Sequence, residues 1–175
     1  MTKIITPLIL LLSLLYSNSQ VGTSYTPLWG EPGIEGYVVQ KEDGRFLVVS
    51  SEAQNFSARG GTEEFYDAIW FRGMSEQVSL GEKVQVWYSH VLESYPGQSS
   101  AEKLNMLPRI SPSGAVMSEA EAVRQALASD KLKEHRVPVV KSVDYDEGHQ
   151  VWRVLFLVGE ISGKQELTIE VKDRK

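Results

Sequence analysis

Two apolar runs, Gly36-Tyr37-Val38-Val39 and Phe46-Leu47-Val48-Val49, flank the dipeptide Asp43-Gly44. Asp-Gly at the centre of such a pair predicts a two-residue hairpin, because the favoured turn needs φ > 0 at both central positions. With Asp43-Gly44 as the loop, Glu42 faces Arg45, Lys41 faces Phe46, Val39 faces Val48 and Val38 faces Val49. Apolar residues fall on both faces, so neither face is expected to be wet, which suits the wall of a small barrel. Residues 64–71 are aromatic and β-prone and predict a third strand. Residues 83–89 alternate and predict a fourth, with Val39, Val48, Val86 and Trp87 in the core. Tyr95-Pro96-Gly97 reads as a type II turn, with Pro fixing φ and Gly supplying φ > 0. Residues 99–106 read as a short helix capped by Ser99 or Ser100, with Ala101 and Leu104 turned inward.

The pattern changes after the proline-rich break at 107–114. Ser118-Glu119-Ala120-Glu121 has the form of a capping box. It predicts a helix running to about Lys133 with Ala120, Val123 and Leu127 as its inward stripe. Strands follow at 137–143, 151–158 and 166–171, and Pro138 argues for an edge position in the first. The fold class predicted is mostly β with α+β character: a small OB-like antiparallel barrel, then a helix plus a three-stranded antiparallel meander. The domains predicted are a signal peptide at 1–19, a tether at 20–32, the barrel at 33–107, a linker at 108–117 and the helix-plus-meander unit at 118–175. The second unit is small enough to need packing against the first.

The N-terminus extends this picture to location. Lys3, the apolar run 4–16 and the small residues Ser17-Asn18-Ser19 form the pattern of an export signal, cleaved before Gln20. The run is shorter than the roughly 20 residues that span a bilayer, though a retained anchor stays open. An extracytoplasmic protein, secreted or held at the cell surface, is therefore expected. The chain carries a net charge of −5, and losing Lys3 with the leader takes it to −6. That balance argues against nucleic acid and against simple electrostatic docking to anionic lipid as partners. There are no cysteines, which removes thiol nucleophiles, thiolate metal sites and disulfides.

Catalytic chemistry has little to stand on. No Gly-x-Ser-x-Gly elbow is present, and the histidines are His90, His135 and His149. Ser89 and His90 are neighbours, but adjacent strand residues point to opposite faces. Asp144-Tyr145-Asp146-Glu147-Gly148 begins like a calcium loop, yet its twelfth position is Leu155 where a Glu is needed. Gly60-Gly61 lacks the Lys-Ser/Thr of a phosphate loop. No cofactor, catalytic residue or metal ligand is expected. Glu93, Tyr95 and Gln98, around the turn that leaves the barrel, are the candidate binding residues.

Several of these stretches carry a family resemblance: Gly36-Tyr37-Val38-Val39, Phe46-Leu47-Val48-Val49-Ser50, Ile69-Trp70-Phe71, Val84-x-Val86-Trp87 and Glu93-Ser94-Tyr95-Pro96-Gly97-Gln98. Over residues 33–107 the chain resembles the YobA-like family of small exported bacterial proteins, whose function is unknown. Many members of that family are lipoproteins, whereas this chain has no Cys to carry a lipid. The second unit faintly resembles modules of the PepSY type, which implies a binding or inhibitory role. The expectation is a non-enzymatic exported module that binds an unknown protein or cell-envelope ligand, touching the membrane only through an uncleaved signal segment. Two alternatives stay open: a wall-active hydrolase using carboxylates among Glu63, Asp67 and Glu93, and a weak cation-binding surface protein.

Overall fold

A computed structural model describes residues 30–159 and 163–174. The predicted export signal and most of the predicted tether lie outside the described residues. Among those described, no helix is long and apolar enough to cross a membrane.

The hairpin forms as β1 (Ile34–Glu42) and β2 (Arg45–Ser50). Asp43 and Gly44 take φ values of 48° and 70°, as the two-residue turn requires. Glu42 faces Arg45 and Lys41 faces Phe46, as expected, but a bulge at Val39 then shifts the register. Val38 therefore faces Val48 and Tyr37 faces Val49. The extra residue bends β1 and increases its twist, which helps the sheet to curl.

Next come β3 (Ala68–Arg72), β4 (Lys83–Trp87), β5 (Gly97–Ser100) and β6 (Lys103–Met106). They order as β5-β3-β2-β1-β4-β6, with β5 parallel to β3 and every other pair antiparallel. The expected helix at 99–106 is thus two short strands. Its sequence has adequate helix propensity, but the open backbone edges of β3 and β4 offer pairing that outweighs so weak a local preference. The type II turn is not formed either: the Tyr95–Pro96 bond is cis, and Gly97 begins β5 without positive φ.

No uninterrupted ladder closes the sheet, so the expected OB-like barrel becomes a curled six-stranded sheet. Its two edge strands are successive halves of one segment. At the break between them, the Ala101 N–H bonds Arg72 O at 3.0 Å and the Glu102 N–H bonds Trp87 O at 2.9 Å.

Beyond the linker, α1 (Glu119–Leu127) starts at the predicted capping box, with Ser118 and Glu121 bonding each other reciprocally. It ends at Leu127 and is followed by a 3-10 turn at Asp130–Leu132. Its buried face is Ala122, Val123 and Ala126; of the predicted stripe, Val123 is buried and Ala120 and Leu127 are half-buried. The meander is β7 (Val139–Asp146), β8 (Val151–Val158) and β9 (Gln165–Lys172), with β7 at one edge as Pro138 suggested.

Strand β2 is buried on both faces. Phe46 and Val48 join Val38, Phe71, Val84 and Val86 inside the curl of the sheet. Leu47 and Val49 point the other way, into a second core with Val123, Trp152, Val154 and Phe156. Each such side chain contributes about 1.5–3 kcal/mol of burial. The two units therefore share one apolar layer.

Polar contacts follow the same seam. The Tyr37 hydroxyl donates to Glu119, and burial together with that bond pushes its pKa up. Lys141 pairs with Glu64 at 3.0 Å and Glu166 at 2.9 Å. Asp173 accepts from the Val116 and Met117 N–H groups, the Tyr145 hydroxyl and the Trp152 indole, tying the linker to the end of the meander.

Candidate functional site

Strand β3 ends at Arg72, and β5 runs parallel beside it. The segment leaving β4 folds back along the outer side of β5. It is held there by the Leu92 N–H to Gln98 O, at 2.9 Å, and by the Ser99 hydroxyl to His90 O. Between these pieces lies an open cleft of about 380 Å³ walled by Arg72, Ser89, His90, Gln98, Ser100 and Glu102. A second depression of about 390 Å³ shares Arg72 and is lined by Asp43, Gly44 and Arg45.

The cleft brings Ser89 and His90 together despite their adjacency, because β4 has ended at Trp87 and strand alternation no longer applies. His90 Nδ1 lies 2.9 Å from Ser89 Oγ, and the Ser89 hydroxyl donates to Glu102. With its proton on that bond, Ser89 accepts from His90 Nδ1–H. An activated nucleophile needs the opposite wiring, with the hydroxyl donating to the imidazole. In this arrangement the Ser89 proton is directed at Glu102 rather than at the imidazole.

Of the three residues singled out from sequence, Gln98 lines the cleft. Tyr95 lies against Phe65, with ring centroids 5.7 Å apart, and Phe65 in turn meets Phe56 at 5.6 Å. The Tyr95 hydroxyl donates to Tyr66 O at 3.3 Å. Burial, with a smaller effect from Asp67, raises its pKa. Glu93 is exposed and makes no ion pair or hydrogen bond among the described residues. The loop also exposes apolar surface: Leu92 is 68% exposed, Tyr95 46% and Val91 44%. Among the carboxylates considered for hydrolysis, Asp67 accepts from Gln54, and Glu63 is exposed like Glu93.

Sequence reasoning missed Arg72, Ser89, His90, Ser100 and Glu102 as a group. They come from three separate stretches and meet only through the parallel pairing of β3 with β5. Among the described residues no group of three or more His, Asp or Glu is arranged to hold a metal ion.

Residues 35–108 match the family described as Protein of unknown function (DUF3221). The match covers less than half of the chain and agrees with the YobA-like resemblance over 33–107. A crystal structure of a YobA protein from Bacillus subtilis subsp. subtilis strain 168 is similar at 21% identity. It covers 42% of this chain and 91% of that one, with a TM-score of 0.31. No curated protein matches. The cleft and the loop beside it both lie within the DUF3221 segment, whereas α1 and the meander lie outside it.

Proposed function

We propose that this chain is a non-enzymatic, exported binding module of the bacterial cell envelope, and that it contacts its ligand through the loop at 91–96 and the adjoining cleft. The carrying observation is the exposed apolar surface of Val91, Leu92 and Tyr95 set directly beside polar groups of the cleft. Apolar surface rimmed by polar groups is characteristic of interaction sites. The loop is also fixed from both sides, by Phe65 under Tyr95 and by β5 under Leu92, so little ordering is left to pay for on binding. Export rests on Lys3, the apolar run and Ser17-Asn18-Ser19, with Gln20 as the first residue of the mature protein.

Cross-linking capture from intact cells tests this with Leu92→Ala and Gln98→Ala. Both side chains are exposed, so both variants melt like wild type and both lose the captured ligand. Tyr95→Ala loses capture and some thermal stability together, since it also removes the Phe65 contact. Full capture by all three variants refutes the reading. Mass measurement of the exported protein locates its first residue, and an intact Met1 on a cytosolic species refutes the location.

A further inference from the structure

The pairing of β2 with β3 sets Arg45 directly opposite Arg72. Like charges facing each other across a strand pair repel. Arg45 is partly neutralised: it pairs with Glu42 at 3.0 Å and lies over the Trp70 ring at 5.0 Å. Arg72 is exposed, and among the described residues no carboxylate pairs with it. Arg45 and Arg72 line one depression together with Asp43 and Gly44. Arg72 also borders the cleft that holds Gln98, Ser99 and Ser100. Two carboxylates are close by: Asp43 in the depression, and Glu102 in the cleft, where it already takes the Ser89 proton.

We infer that Arg72, with Arg45 across the strand, is the anchor for an oxyanion group, a phosphate or a carboxylate, on a hydroxyl-bearing ligand. The guanidinium fork matches either group through two parallel hydrogen bonds. An anion bridging the two arginines relieves a repulsion that the fold otherwise leaves in place. Beside the anchor, the Gln98 amide and the Ser100 hydroxyl offer neutral donors and acceptors suited to hydroxyls, and the Ser99 hydroxyl, whose proton goes to His90 O, can still accept. This deepens the binding reading of the cleft and rests on it, but its test needs no captured partner.

The purified chain, labelled for amide resonance shifts, is titrated at constant ionic strength with glycerol phosphate and with glucuronate, using glycerol and glucose as neutral controls. Saturable shifts at Arg72, Arg45 and Gln98 with at least one anion, and none with the neutral compounds, are expected. A response to glycerol phosphate alone assigns a phosphate ligand, and a response to glucuronate alone assigns a carboxylate. Arg72→Gln weakens binding about tenfold or more, the usual loss for a charge-assisted bond. Arg72→Lys, which keeps the charge but not the fork, weakens it less. Arg72→Gln melts at or above the wild-type temperature, since it removes a like-charge pair. Absence of saturable shifts with both anions overturns the inference, as does unchanged affinity in Arg72→Gln. If the anion binds here while Leu92→Ala and Gln98→Ala still capture the cellular ligand, the anchor stands and the proposed docking loop falls.

Discussion

Gly81 lies in close contact with the backbone of α1. It has φ +84°, and a Cβ added there would sit 2.3 Å from Ala120 O and 2.7 Å from Arg124 N, both backbone atoms of α1. Gly44 offers a matched control, with φ +70° and nothing within 4 Å of the same added atom. Gly44→Ala then costs only the left-handed conformation, about 1–2 kcal/mol. Gly81→Ala costs a similar amount plus the displacement of a helix from a packed core, typically about 1–3 kcal/mol more. At about 2–4 °C per kcal/mol for a chain of this size, the two variants separate by several degrees. Urea denaturation at unchanged slope gives the same difference as free energy. If Gly81→Ala and Gly44→Ala lose equal stability, α1 yields without cost and is not firmly packed on the sheet.

The remaining predictions concern burial and pH. Trp87 is 8% exposed, its indole donates to Gly30 O, and Lys103 lies over its ring. Trp87→Ala is expected to cost about 3–5 kcal/mol in chemical denaturation, and a wild-type midpoint refutes its place in the core. Burial works against ionisation of Asp173, but the N–H groups of Val116 and Met117, with Tyr145 and Trp152, hold its carboxyl below the usual range. A lowered folded pKa gives stability that is present above the unfolded value, near 3.8, and is lost as pH falls through the folded one. Asp146, held at about 2 by His149 and Arg153, titrates in the same direction. Stability measured stepwise from neutral pH to strong acid therefore falls more steeply below about pH 4 in wild type than in Asp173→Asn. Parallel profiles refute the role of Asp173.

Local chemistry made part of this fold legible. Asp43-Gly44 and Ser118-x-x-Glu121 specify a turn and a cap through atoms within four residues of each other, and both formed as read. The bulge at Val39 has no glycine or proline to announce it. It follows from fitting a curved sheet around the core of Phe46 and Phe71, which is a tertiary demand. The segment 99–106 was misread for the same reason, because its conformation is decided by the unpaired edges of strands far away in sequence. The candidate site was legible in one residue, Gln98. Arg45 and Arg72 are 27 positions apart, and only the register of β2 with β3 makes them neighbours.

The segment that supplies both edge strands also sets an order of events during synthesis. Until residue 106 has left the ribosome, β3 and β4 each present a bare row of N–H and C=O groups, open to pairing with any other extended chain. One stretch, Gly97–Ser100 and Lys103–Met106, then seals both at once. A chain cut or stalled before it would keep an intact hairpin and much of the apolar interior. It would also become sticky at two ends simultaneously, a geometry that builds linear aggregates rather than dimers.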